Sequence, residues 1–228
     1  MEPHKKRLFK TLLYEQFARI GKALANQHRL ELLEVLAQGE RTVEVLAEET
    51  GMSLANASQH LQVLRSSRLV ETRRVGTSIY YRLASDAVGS LWLSLRQVGQ
   101  MHLAEVDQLV DTFLHDRALL SPLTAHELRE ALQHDQIILL DVRPVEEYHA
   151  GHLPQARSLP LADLAARLSE LPRDKEIVAY CRGPYCIFAD EAVTFLHAQG
   201  YQARRLAEGV LEWRQSGFPV TEGKEKSA

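Results

Sequence analysis

Two cysteines, Cys181 and Cys186, bracket one short segment of the 228-residue chain, Tyr180-Cys181-Arg182-Gly183-Pro184-Tyr185-Cys186. A compact β-rich run, Glu176 to Tyr180, precedes the segment, and a helical pattern, Ala189 to Gln199, follows it. Cys181 therefore stands where a strand ends and a loop curls toward a helix amino terminus. Such a loop points its backbone N–H groups inward, and these amides with the helix dipole stabilise an anion. That environment lowers a thiol's pKa and favours the nucleophilic thiolate. A cysteine at a strand end, taken alone, is by default a buried and inert side chain. The two cysteines lie too close in sequence to staple a fold, so their chemistry is the question.

A second constellation lies on a helix opened by Ser53. Advancing 100° per residue puts Leu54, Ala57, Leu61 and Leu64 on one face, the expected core, and Ala55, Asn56, Gln59 and Gln62 opposite. Exposed amides suit the major groove of DNA, where Asn and Gln pair bidentately with adenine and a methyl group touches thymine. His60 falls at the edge of the core face and is read as an interhelical hydrogen-bonding group with a base contact as the alternative. Between Met52 and Ser85, Arg65, Arg68, Arg73, Arg74 and Arg82 face the single acid Glu71, a local basic patch that suits a polyanion or, more blandly, a solvated face. Arg73 and Arg74 are placed to meet phosphate or a minor groove.

The elements that must position these groups follow from periodicity. Apolar positions repeat at helical spacing from Leu8 to Leu36, interrupted at Asn26 to His28, and a further helix runs from Thr42 to about Thr50 before Gly51. Helix, glycine turn and the Ser53 helix make a helix-turn-helix. Leu69–Arg74 and Ile79–Leu83 alternate around Val75 to Ser78, a hairpin that would form a wing. From Asp86 to about His115 one long helix carries an apolar stripe too wide for a small domain to cover, so a second subunit is its expected partner. After Ser121-Pro122 the pattern changes. Thr124 caps a short helix, and strands Ile137–Val142, Glu176–Tyr180 and Ala203–Leu206 alternate with helices Leu161–Leu171 and Ala189–Gln199, which implies a parallel sheet covered on both faces.

Composition agrees with two domains of about 100 residues each. The net charge is -3 and the hydrophobic fraction 45%, ordinary values for a globular protein. Residues 1–115 carry 14 Lys+Arg against 13 Asp+Glu, and the remainder 13 against 17. No run approaches the roughly 18 apolar residues of a membrane span, and no apolar stretch of signal-peptide length follows Lys5, Lys6 and Arg7, so a soluble, cytoplasmic protein without membrane contact is expected.

The stretch Ala23 to Leu83 resembles the arsenical-resistance-repressor (ArsR) family of winged-helix regulators. The matching residues are Ala23-Leu24-Ala25-Asn26, His28-Arg29-Leu30, Val45-Leu46-Ala47, Ser58-Gln59-His60-Leu61, Val63-Leu64-Arg65, Leu69-Val70, Gly76 and Tyr80-Tyr81-Arg82-Leu83. This resemblance implies a homodimer on a two-fold operator, usually a repressor released by an inducer, with the first and last helices of the domain in the dimer contact. The family's thiolate metal site needs a Cys-x-Cys pair where this chain has Thr42 and Glu44. Its other site matches only at His102 and Glu105, with Gly89 and Leu91 at the remaining positions, too few ligands for zinc. No metal and no cofactor are expected.

From about Leu123 to Val220 the chain resembles the rhodanese family. The signatures are Asp141-Val142-Arg143, Glu147-Tyr148, Gly151-His152-Leu153-Pro154 with Ala156, then Tyr180-Cys181-Arg182, Phe195-Leu196, Gly200-Tyr201, and Gly209 before Trp213. The resemblance implies that the Cys181 thiolate takes a sulfane sulfur from a donor such as thiosulfate or polysulfide. It would hold the sulfur as a persulfide among the amides of Arg182, Gly183, Tyr185 and Cys186 and pass it to a thiophilic acceptor, with Arg182 attracting the anionic donor. Asp141, Arg143 and His152 carry over as framework. Three departures bear on turnover: Pro184 lacks an amide, Cys186 holds the sixth loop position, and Glu208 replaces a glycine. Cys186 either fills the loop's end or resolves the persulfide into a disulfide or polysulfide. A related phosphatase loop would end in arginine where this chain has Ile187.

The expected architecture is an all-α winged helix-turn-helix with a small β-wing over residues 1–118, a three-layer α/β rhodanese-like domain with a parallel sheet over 119–221, and a disordered tail over 222–228. The expected DNA-contacting set is Ser53, Asn56, Gln59, His60, Gln62, Arg73 and Arg74, and the expected reactive residue is Cys181. The preferred function is a dimeric, operator-binding repressor that senses or handles reactive sulfur. The rivals are a thiosulfate:acceptor sulfurtransferase that the winged helix only localises or regulates, and an inert rhodanese fold serving as a protein-binding module.

Overall fold

Pro3, whose missing N–H costs nothing in a first helical turn, starts α1 (Pro3–Leu24) in the computed structural model, which describes residues 2–114, 122–134 and 137–223. The Asn26 side chain accepts from the Arg29 amide at 3.2 Å and caps α2 (Gln27–Leu36). The two-residue strand β1 (Arg41–Thr42) leads into α3 (Val43–Glu49), and Gly51, at φ +64°, makes the turn before α4 (Leu54–Ser66). Ser53 caps α4 by accepting from the Asn56 amide at 3.3 Å. β2 (Val70–Val75) and β3 (Ser78–Leu83) pair antiparallel with Val75 opposite Ser78, which leaves a two-residue turn. Gly76 supplies a positive φ of +61° at its first position, the demand of a type II′ turn.

α2, α3 and α4 enclose a core of Leu32, Leu33, Leu36, Leu46, Leu61 and Leu64. Three details depart from expectation here. β1 adds an edge to the wing, giving the order β1-β3-β2, and two residues are too short for alternation to reveal. Leu54, expected in the core, is 50% exposed, because a helical side chain leans toward the amino terminus and at the first position there is no packed turn beneath it. The long helix expected to His115 is two: α5 (Asp86–His102) and α6 (Ala104–Phe113), separated by Leu103 in extended conformation. Gly99, a poor helix former, lies in the last turn before the break.

The chain divides into units Met1–Ser94 and Leu95–Ala228, a division within α5. The boundary expected at residues 118–119 lies outside the described residues, as do residues 224–228 of the expected tail.

In the second unit Thr124 and Glu127 form a reciprocal capping box at α7 (Ala125–Gln133). There follow β4 (Ile137–Asp141), α8 (Val145–Ala150), β5 (Arg157–Ser158), α9 (Leu161–Leu164), a 3₁₀ turn at Leu168–Glu170, β6 (Glu176–Tyr180), α10 (Phe188–Ala198), β7 (Ala203–Arg205) and α11 (Val210–Gln215). The sheet runs β5-β4-β6-β7, and every pairing is parallel. β4 is buried along its whole length, the pattern of a strand covered on both faces. One face packs Leu140, Ile177, Ala179 and Cys181 against α10, and the other packs Leu139, Val178 and Tyr180 against Tyr148, Leu128 and Trp213. β5, α8 and α11 were too short to read from periodicity. The helix expected over Leu161–Leu171 is α9 followed by the 3₁₀ turn.

Candidate functional site

The loop after β6 is held from below by buried polar groups. The Tyr180 hydroxyl donates to Asp141 Oδ2 at 2.7 Å and accepts from the Leu153 amide at 3.1 Å. Arg143, fully buried, donates to Asp141 through Nε at 2.9 Å and Nη2 at 2.5 Å, and to the Gly151 carbonyl at 2.8 Å. Glu147, also fully buried, lies 3.8 Å from Arg143 and accepts from Arg182, through Nε at 3.0 Å and Nη2 at 2.5 Å. The Arg182 guanidinium also lies over the Phe188 ring at 5.7 Å. Burial of this kind is tolerated because each charge is met by an opposite charge and hydrogen bonds.

The loop itself is a tight turn. The Gly183 carbonyl accepts from the Cys186 amide at 3.2 Å, with Pro184 next after Gly183 and Tyr185 half-buried beyond it. Gly183 has φ +145°, and an added Cβ there would lie 3.0 Å from Glu212 Oε1. From the other side Gly209 presses on the loop so closely that a Cβ would stand 2.5 Å from the Arg182 carbonyl oxygen. The glycine before Trp213 in the sequence is thus the floor of the turn. Its neighbour Glu208, the departure noted above, has its carboxyl pKa raised, chiefly by burial.

Cys181 is 2% exposed, and its thiol donates to the Cys186 carbonyl at 3.5 Å. Burial pushes the Cys181 pKa well up, reinforced by hydrogen bonding with Cys186 and that group's charge, while the Ala189 and Gly183 amides oppose the rise. The Cys186 thiol moves the other way, to about 7. The hydrogen bond from Cys181 contributes most, and the Arg182 and Phe188 amides and the Arg182 charge assist against burial. The lowering expected at Cys181 is therefore found at Cys186, because the loop amides serve two sulfurs and the deeper one loses more solvation than they return.

In the first unit, Gln59 and Gln62 on α4 are exposed and Asn56 is half-buried, on the side away from Ala57, Leu61 and Leu64. His60 meets His28 of α2 across 5.4 Å between ring centroids, an interhelical ring contact, and its pKa is lowered, first by burial and then by His28 and Arg29. Arg73 is paired with Glu40 and lies over Tyr80, whereas Arg74 donates to the Gly76 carbonyl at 3.1 Å on the turn. His102 ends α5 and Glu105 lies in the first turn of α6, across the break at Leu103. Among the described residues no group of three or more His, Cys, Asp or Glu side chains gathers as a metal site, and no helix is long and apolar enough to cross a membrane.

Residues 26–72 match the family model for bacterial regulatory proteins of the arsR family, and residues 124–216 match that of the rhodanese-like domain. An HTH-type transcriptional regulator of Mycobacterium tuberculosis is 48% identical over 214 residues, 94% of this chain and 94% of its own length. The chain belongs to the ArsR family of regulators, with a rhodanese-like domain after the winged helix. A sulfurtransferase of Allochromatium vinosum is 32% identical to this ArsR-family chain over 87 residues, 38% of this chain and 79% of that protein. Among solved structures, a homodimeric winged helix-turn-helix domain from Mycobacterium bovis is 52% identical, with a TM-score of 0.40, covering 41% of this chain and 87% of that one. DNA-binding transcription regulation is accordingly the function of this ArsR-family protein.

Glu147 is the site residue whose role the sequence did not disclose. It stood within a recognised signature, but only the fold brings it under Arg182, 35 positions away.

Proposed function

We propose that this regulator is a homodimeric, cytoplasmic repressor that captures sulfane sulfur on Cys181 and changes its operator affinity in response. The observation that carries the reading is the thiol pair, Cys181 and Cys186, enclosed by the amides of Arg182, Gly183, Phe188 and Ala189. Inward amides suit a persulfide anion. Arg182 is tied to buried Glu147, so its charge is largely met before an anionic donor arrives, and this favours occasional capture over rapid turnover.

Operator contact is assigned to Asn56, Gln59 and Gln62 as base readers, Ser53 as the cap that orients them, and Arg74 with Arg73 as backbone contacts. His60 supports α4 from behind. The dimer reading rests on exposed apolar side chains on α1 and α6, Phe9, Leu12, Phe17, Leu109 and Phe113 among them, which water alone is a poor neighbour for.

The test is an operator titration of the full chain before and after inorganic polysulfide, with mass spectrometry of Cys181 on the same samples. A change at Cys181, read as an added sulfur or as the loss of two hydrogens that follows its capture, with a loss of operator affinity of about 5- to 150-fold, the usual span of allosteric coupling, is expected, and Cys181→Ser should abolish both. Captured sulfur with unchanged affinity would leave sulfurtransfer without sensing.

A further inference from the structure

We infer that Cys186 is the resolving thiol of this loop: it attacks the Cys181 persulfide, displaces hydrosulfide and closes a Cys181–Cys186 disulfide. The inference rests on the reading that Cys181 captures sulfane sulfur, and it adds what happens next.

The turn places the pair. With the Cys186 amide bonded to the Gly183 carbonyl at 3.2 Å, the chain folds back so that the Cys181 sulfur reaches the Cys186 carbonyl oxygen at 3.5 Å. A cysteine that only filled the loop's end would behave as a small hydrophobe among apolar neighbours. Cys186 does pack against the apolar cluster of this face, but it is only half-buried, and the Arg182 and Phe188 amides and the Arg182 charge also bear on its sulfur. These are the surroundings of an attacking thiolate. The best attacking thiol has a pKa near the ambient pH, where it is both ionised and still nucleophilic. Cys186, lowered to about 7 in the reduced pair, is suited to the second attack, while the first falls to Cys181, the strand-end sulfur on which the Gly183 and Ala189 amides bear.

The steps balance without an added oxidant. The Cys181 thiolate attacks the terminal sulfur of a polysulfide; a Cys181–sulfur bond forms, a sulfur–sulfur bond breaks, and the shortened polysulfide leaves with the electron pair. The Cys186 thiolate then attacks Cys181 Sγ, forming the disulfide and releasing the outer sulfur as hydrosulfide. The sulfane sulfur is reduced by two electrons, and the two thiols, having given up their protons, are oxidised by two. Each capture therefore leaves the loop in a bridged state that a dithiol reductant reopens.

The full-length protein is treated anaerobically with inorganic polysulfide, freed of excess reagent and analysed by intact and peptide mass spectrometry, beside Cys186→Ser and Cys181→Ser chains. Wild type should lose two hydrogens, gain no sulfur and show a Cys181–Cys186 cross-link that dithiothreitol opens, while Cys186→Ser holds one extra sulfur on Cys181. The rate of wild-type bridging should rise with pH as Cys186 ionises. If wild type and Cys186→Ser both retain the same Cys181 persulfide, Cys186 is filler and the inference fails while sulfur capture stands. A bridge that keeps an extra sulfur overturns hydrosulfide release, and sulfur accumulating on Cys186 of Cys181→Ser overturns the order of the two thiols. If no chain takes up sulfur and wild type forms no bridge, the capture reading itself falls.

Discussion

The helix proposed to read DNA, α4, and the thiol loop solve opposite problems of placement. On α4 the groups assigned to DNA, Gln59 and Gln62, point away from the core formed by Ala57, Leu61 and Leu64, so reading surface and packing surface share a helix but no side chains. In the loop there is no such separation. Cys181 belongs to the hydrophobic core beside Ala179 and Ala189, and the side chain that follows it, Arg182, is anchored on a carboxylate buried to the same degree as the core leucines. A surface that reads a polyanion must meet its partner in water, whereas a sulfur anion is held best where amides replace water. The contrast predicts that substitutions in the loop cost stability first and chemistry second, and that substitutions on the reading face cost binding alone.

The largest effect is expected at Glu147. Its carboxylate is fully buried and meets both Arg182 and Arg143, so Glu147→Ala takes from Arg182 the carboxylate it donates to and leaves Arg143 with Asp141. Removing one partner of a buried ion pair typically costs about 3 to 5 kcal/mol. Urea unfolding followed through Trp213, buried in the same unit, in a Trp92→Phe background, measures it. A loss below about 1 kcal/mol, the range of exposed ion pairs, would break the comparison by showing that the loop is as separable from its core as the reading face is.

The same contrast governs what was legible in the sequence. Long periodic segments announced themselves: the Ser53 helix, the hairpin around Gly76 and the apolar runs of β4 and β6 all appear where alternation or helical spacing put them. Short elements such as β1, β5 and α8 did not, since two to six residues held by neighbours carry no period of their own. Motif spacing located Cys181 and Cys186, but the lowering expected at the Cys181 thiol falls on Cys186. That order depends on depth, and depth is set by α10 and the sheet closing over the loop, a property of the assembled unit rather than of the segment. Glu147 was hidden for the same reason.

A middle-sized effect belongs to the reading face. Gln59→Ala removes an exposed amide that touches none of the core residues of α4, so specific operator binding should weaken by about 1 to 3 kcal/mol, the worth of a good bidentate base contact. Binding to random DNA at the same salt should hardly change, because it is governed by phosphate contacts. Fluorescence anisotropy on the operator and on a scrambled duplex separates the two. Equal losses on both would mean that α4 contributes only to backbone contact, and the comparison would then be between a loop and a merely electrostatic surface.

The smallest effect tests where the α4 core ends. Helical periodicity alone puts Leu54 in line with Ala57, Leu61 and Leu64, yet it is half exposed while those three are completely buried. As the first residue of α4, just after the Ser53 cap, it projects past the packed turns, and the cap is made by the Ser53 side chain and the Asn56 amide without it. Leu54→Gln keeps a helix-compatible side chain with no branch at Cβ and should shift the unfolding free energy of the first unit by no more than about 0.5 kcal/mol, as surface substitutions do. Thermal unfolding of the isogenic pair measures it. A loss of about 2 kcal/mol or more, the cost of truncating a buried leucine, would place Leu54 back in the core and shrink the surface available for reading DNA to the residues beyond Ala55.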